Sequence, residues 1–284
     1  MIDTLEINGL RYRIEFPPAD PAKPWCLFLH GFFGTSADFY HITPHITDLV
    51  NPLLIDLPGH GETDTPDDPA RSDTNKLVKD LAEIIETVTG QPVFLVGYSM
   101  GGRLALHFAT QRPEMLKALI LESTGPGLSD EIQRSERREI DQQRAEAIRS
   151  DLNRFIEEWN KMPLFKADTN QRIIKETEHH LQMIQKQQDP EGPAKSLQGF
   201  GAGVMPPVSK SDLKKINVPV LLLAGEKDEK YVSVQQKMAE GLKNVEVKII
   251  PGAAHRVHID AADSYVAELR TFLENRISGK SDRL

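Results

Sequence analysis

The sequence predicts an α/β fold: a mostly parallel sheet flanked by helices, broken late in the chain by a helical insertion. Three observations predict it. Six short runs, "WCLFLH", "PLLID", "PVFLVG", "ALILES", "VPVLLLAG" and "VEVKIIPG", are continuously apolar, which suits parallel strands buried on both faces. Between them and at the C-terminus, apolar residues recur at helical spacing, the rhythm of β-α-β units. From about Thr124 to Lys210 that rhythm stops. The chain there is rich in Arg, Glu and Gln, keeps helical spacing, contains no convincing strand and closes on "GFGAGVMPPVSK". The expected division is a sheet-bearing core over 1–123 and 211–284 and a helical lid insertion over 124–210.

Each element has its own signal. "LEINGLRYRIEF" alternates around Asn8-Gly9, a dipeptide suited to a two-residue hairpin turn. Cys26, inside the first apolar run, reads as a small buried hydrophobe. "DLPGHGETD", with Asp56, Gly59, His60 and Gly61, is a strand-to-loop turn read as scaffold. A helix follows, with Thr74-Asn75 as caps and Leu77, Leu81, Ile84, Ile85 and Val88 on one face. Near the end, Val266, Leu269, Phe272 and Ile277 mark another amphipathic helix, and the tail "SGKSDRL" is expected to fray.

Composition narrows the function. A chain of 284 residues can bury a sizeable core as one domain, and its formal charge of −8, with no basic stripe, excludes a nucleic-acid binder. A single cysteine allows neither an internal disulfide nor a cysteine-cluster metal site. The N-terminus lacks the zones of a secretory signal, and the apolar runs are too short to span a bilayer. The expectation is a soluble cytoplasmic protein without membrane insertion.

Gly97-Tyr98-Ser99-Met100-Gly101 matches G-x-S-x-G, with a strand before it and a helix after it, the context of a nucleophile elbow. Asp228 and His255 each follow a later strand, where open α/β sheets gather their sites, and the order Ser…Asp…His is that of α/β-hydrolases. Glu226 competes for the acid role, and Asp228 is preferred because it lies further past its strand. His258 and Asp260 read as ordinary surface-loop residues. "LHGFFG" supplies an oxyanion site, with the Phe32 backbone N–H beside that of Met100, while His30 holds the loop. Arg103 lies four residues after Ser99, on the same helical face. It either grips a carboxylate in two-pronged fashion or makes an ion pair with a neighbouring loop.

"VGYSMGGRLAL", "LESTGPGLSD", "ERREIDQQRAEAI", "FIEEWNKMPLF", "SLQGFGAGVMPP" and "AGEKDEKYVSV…IIPGAAHRVHID" together resemble the 2-succinyl-6-hydroxy-2,4-cyclohexadiene-1-carboxylate synthases of menaquinone and phylloquinone biosynthesis. The likeness runs from about Pro24 to Phe272. It implies an α/β-hydrolase fold and a lyase that eliminates pyruvate from a multiply carboxylated cyclohexene without a cofactor. It implies a triad of Ser99, Asp228 and His255, oxyanion donors at Phe32 and Met100, and substrate contacts at Tyr98, Arg103, Arg137 and Trp159. The small-molecule partner it implies is a polycarboxylate. Two positions depart from the pattern. "ETEHHLQMIQ" offers His179 and His180 near where many members carry a further arginine, and "GAAH" replaces G-x-G-H. A hydrolase of esters or carbon–carbon bonds, and a non-catalytic receptor, are the competing classes on this fold.

Overall fold

The structure, a computed structural model, describes residues 1–168 and 172–279, with only the backbone described at 172–175. Of the insertion, residues 169–171 lie outside the described residues, as do 280–284 of the tail.

Eight strands form one sheet: β1 (Ile2–Ile7), β2 (Leu10–Glu15), β3 (Trp25–Leu29), β4 (Asn51–Ile55), β5 (Val93–Tyr98), β6 (Leu116–Glu122), β7 (Val220–Gly225) and β8 (Val245–Ile250). Their order is β1-β2-β4-β3-β5-β6-β7-β8. The first two strands form the hairpin expected at Asn8-Gly9, where both residues take positive φ (49° and 79°) and Ile7 pairs with Leu10. β2 runs antiparallel to β4, and every pairing from β4 to β8 is parallel.

Side chains alternate across the sheet, so each central strand feeds two cores. Leu27, Leu29, Leu95 and Leu119 pack on one side with α1 (Thr74–Val88) and α2 (Ser99–Gln111). Phe28, Phe94, Ile120 and Leu221 pack on the other against a C-terminal helix, here α10 (Ala262–Ile277). That double burial explains the unbroken apolar runs. β8 departs from it: as the edge strand it is half-buried over most of its length, and Lys248 pairs outward with Glu268 at 3.0 Å. The charges at Glu246 and Lys248 were the visible sign of an edge. Ile277, expected on the core face of α10, is the last residue of that helix and is 42% exposed.

Between β6 and β7 the chain forms α3 (Glu131–Ser150), α4 (Leu152–Asn160), α5 (Arg172–Lys186), α6 (Glu191–Phe200) and the short α7 (Lys210–Leu213), with no strand among its described residues. Ala145, Ile148, Phe155, Ile156, Ala194 and Leu197 make a small separate core that closes on Phe33, in the loop after β3. Gly192 in α6 meets the Gly59 carbonyl so closely that no side chain fits between them, which fastens the insertion to the loop after β4. Two further helices, α8 (Glu229–Ala239) and α9 (Val257–Asp260), follow β7 and β8.

The cap of α1 is Asp73 rather than Thr74-Asn75: its carboxylate accepts from the N–H groups of Asn75 (3.0 Å) and Lys76 (3.1 Å). Thr74 is instead the first, buried residue of the helix. Replacing Asp73 by alanine should cost about 1 kcal/mol, seen as a lower urea midpoint with an unchanged m-value; an unchanged midpoint would mean solvent caps the helix equally well.

Candidate active site

Ser99 ends β5 and opens α2 with φ +49°, a left-handed conformation that costs a serine strain. Packing enforces it. The Gly101 N–H donates to the His30 carbonyl (3.1 Å), and a side chain at Gly101 would collide with the carbonyls of Leu29 and His30. The helix start is therefore pressed against the end of β3. Met100, the second residue of α2, carries an N–H with no acceptor inside the helix. Phe32, three residues beyond β3, is on the same side of the sheet's rim, and its ring faces the cavity above Ser99.

The three sequence-selected polar residues come together. His255 Nε2 is 3.0 Å from Ser99 Oγ, and His255 Nδ1 is 2.6 Å from Asp228 Oδ2, with both partners of that contact buried. A carboxylate can only accept, so Nδ1 carries the proton and Nε2 presents a lone pair to the serine hydroxyl. Glu226 is exposed and accepts from the Gly252 N–H (3.1 Å), which removes it from the acid role. The imidazole of His255 is enclosed by Tyr98 (ring centroids 5.5 Å apart), Tyr231 (4.8 Å) and Phe165 (6.0 Å).

Ser99 and His255 open into a cavity of about 250 Å³ whose wall includes Phe32, Tyr98, Arg103, Arg137 and Trp159. Arg103 is buried, has no ion pair among the described residues, and its Nε has no hydrogen-bond partner. The ion pair with a neighbouring loop, one of the two readings of this residue, is thus absent there. Burial pulls the Arg103 guanidinium below its ordinary range, and the positive charge of Arg137 adds to that. Arg137 and Arg144 both reach Asp141 Oδ1, at 2.9 and 3.2 Å. Arg144, which also stacks on Trp159 (5.2 Å), and Tyr231 were missed from sequence. Arg144 had a signal, since seven residues from Arg137 is two helical turns and so the same face.

Other expectations resolve by position. His30 Nε2 accepts from the Leu57 N–H (2.9 Å), so its Nδ1–H donates to the Gly31 carbonyl (2.7 Å); the ring ties two loops together. Asp56 accepts from the N–H groups of Ser36 (2.7 Å) and Glu62 (3.0 Å), a scaffold role. His179 and His180 are exposed, and neither lines the Ser99 cavity; His180 borders a separate cleft with Arg13 and Asp56. The α5 helix simply turns these rings away. His258 and Asp260 are not surface-loop residues: both are buried in α9 beneath Tyr98. His258 Nδ1 meets Glu122 at 2.8 Å, and Asp260 accepts from the Ala254 N–H at 2.9 Å. Among the described residues no group of three or more His, Cys, Asp or Glu could hold a metal ion, and no helix is long and apolar enough to cross a membrane.

Comparison with known proteins follows the same line. The model of the "Alpha/beta hydrolase family" matches residues 26–268. The chain is 30% identical over 259 residues to the 2-succinyl-6-hydroxy-2,4-cyclohexadiene-1-carboxylate synthase of Enterobacter sp. (strain 638), covering 90% of this chain and 94% of that protein. It is 38% identical over 256 residues to a Bacillus subtilis (strain 168) protein provisionally given the same name, covering 89% and 91%. Among solved structures, MenH from S. aureus superposes with a TM-score of 0.86 at 33% identity, covering 93% of this chain and 98% of that one.

Burial lifts the Asp260 carboxyl from its ordinary 3.8 to about 6, against the pull of the Ala254 N–H, Arg256 and His258. The folded chain therefore holds this proton more tightly than the unfolded one. Its stabilising contribution is complete at low pH and is lost as pH rises through about 6. Asp260→Asn should accordingly gain on the wild type as pH rises from 3.8 to about 6, by on the order of 1–3 kcal/mol, and keep that gain above it. Parallel melting curves for the two proteins across that range would refute the assignment.

Proposed function

The chain belongs to the alpha/beta hydrolase family and, within it, to the 2-succinyl-6-hydroxy-2,4-cyclohexadiene-1-carboxylate synthases. On that premise we propose how its residues eliminate pyruvate, without a cofactor, from 2-succinyl-5-enolpyruvyl-6-hydroxy-3-cyclohexene-1-carboxylate. The observation that carries the reading is Arg103, a buried cation without a protein anion among the described residues, set one helical turn from a serine already hydrogen-bonded to its base. A neutral ester would leave that charge uncompensated. A substrate with several carboxylates answers it.

In this mechanism Ser99 acts as a base. Its Oγ takes the ring proton next to the succinyl ketone as its own proton passes to His255 Nε2, and Asp228 steadies the imidazolium. The electron pair forms the C2–C3 double bond, the C3–C4 double bond moves to C4–C5, and the C5–O bond breaks. Enolpyruvate leaves and takes up one proton on its methylene carbon to become pyruvate, balancing the one His255 carries. Charge gathers transiently on the ketone oxygen, which the N–H groups of Phe32 and Met100 receive. General-base assistance of this kind is worth about 10²–10⁴-fold. Arg103 and Arg137 neutralise carboxylates that would otherwise oppose the added negative charge, and Tyr98 and Trp159 shape the pocket. The helices of 124–210 act as the lid that brings Arg137 and Trp159 over Ser99, above a core made of 1–123 and 211–284. The enzyme works in the cytoplasm on its small-molecule substrate.

Ser99→Ala should abolish pyruvate release by several orders of magnitude while the circular dichroism stays native, because relay members act as a unit. Near-normal turnover in that variant would remove Ser99 from the chemistry. Arg103→Ala should lower kcat/KM for pyruvate release by roughly ten- to hundredfold or more, with lysine recovering only part since it keeps charge but not the planar fork. Full activity in folded Arg103→Ala would show the charge to be structural.

A further inference from the structure

The cavity holds more positive charge than the two arginines the sequence singled out. Arg103 has no ion pair among the described residues, while Arg137 and Arg144 share a single oxygen of Asp141. Lys230 adds another cation at the wall. Three guanidiniums against one carboxylate leave a surplus that is costly in a half-enclosed pocket unless an anion enters. The elimination substrate brings three carboxylates: on the ring, on the succinyl arm and on the enolpyruvyl group.

We infer that Arg144 is a third substrate-binding cation, holding one carboxylate of the substrate alongside Arg103 and Arg137. Its position favours this over a purely structural part. Asp141 is already engaged at shorter distance by Arg137 Nε, so Arg144 gives it one N–H and keeps four. Its guanidinium lies over the Trp159 ring at 5.2 Å, a contact with the guanidinium face that leaves its N–H edge to a carboxylate. It faces the same cavity as Ser99, two helical turns along α3 from Arg137. Burial and the neighbouring Arg137 both pull Arg144 below its ordinary range, a repulsion that a bound carboxylate relieves. The histidines 179 and 180, turned away from the cavity, cannot fill this place.

This inference rests on the lyase reading, so its test has two arms. In the first, pyruvate release is followed with wild type, Arg144→Gln, Arg144→Lys and Arg154→Ala, the last removing an exposed cation of α4 paired with Glu158. The expected result is a KM raised about ten- to hundredfold by Arg144→Gln with a much smaller change in kcat, partial recovery by lysine, and no change in Arg154→Ala. In the second, binding of the inert tricarboxylate tricarballylate to the same proteins is measured by calorimetry, with weaker binding expected only at position 144. A folded Arg144→Gln protein with wild-type KM and wild-type tricarballylate affinity overturns the inference. If Arg144→Gln fails to fold, the lysine variant decides: its KM and affinity must still fall between loss and wild type, and wild-type values in both overturn the inference. A wild-type protein that releases no pyruvate overturns the lyase reading instead, and the tricarballylate arm then still judges Arg144.

Discussion

The N–H of Gly101 donates to the carbonyl of His30 while the absence of a side chain lets α2 begin against the end of β3, and the rest of the site depends on that contact. It forces Ser99 into the left-handed region and lifts its hydroxyl off the sheet towards His255. It brings the first N–H groups of α2 beside the loop that carries Phe32. His30 closes the arrangement from below, since its ring is committed to Leu57 and Gly31 and braces the loop after β3 against the loop after β4. A methyl group at Gly101 would have to push backbone aside, so the strain at Ser99 is held by the sheet rather than by the serine's immediate neighbours.

The relay of Ser99, His255 and Asp228 is chemistry that many reactions can use. What makes this pocket particular is its charge. The wall has three arginines and Lys230; Arg103 has no ion pair among the described residues, and Arg137 and Arg144 share one carboxylate, Asp141, behind them. Placed together in one partly enclosed cavity, these cations favour a polyanion and also favour negative charge building up on it. Aromatic side chains serve the same end. Trp159 packs against Phe32, Phe155 and Phe165, and so ties α4 to the rim of the sheet while its face carries Arg144.

Local rules were enough wherever the signal was local. Asn8-Gly9, the apolar runs, the glycines around Ser99 and the strand-end placement of Asp228 and His255 follow from backbone sterics and the two-sided burial of parallel strands, which act within a few residues. Asp73 was passed over as a cap because it stands one residue before the segment the apolar spacing marks, although an aspartate there accepts well from the first helical N–H groups. His258 and Asp260 were misjudged for a different reason. Nothing in "HRVHID" shows that this short helix is driven beneath Tyr98, where Glu122 from the end of a distant strand meets His258.

The sequence by itself determined the fold class, the strained serine and its order with aspartate and histidine, and the cation one turn behind the serine, because each is written in neighbouring residues or in helical and strand periodicity. Only the tertiary structure decided which charges meet. That Arg103 has no carboxylate partner among the described residues, that Arg137 and Arg144 divide one oxygen of Asp141, and that His179 and His180 face away from the pocket depend on how α3 to α6 pack on one another and onto the sheet. The insertion's own apolar residues set that packing by closing over Phe33, from positions that carry none of the charges concerned. Periodicity assigns a side chain to a face of its helix. Which neighbour that face meets is settled by burial elsewhere in the chain, and no spacing rule carries that information.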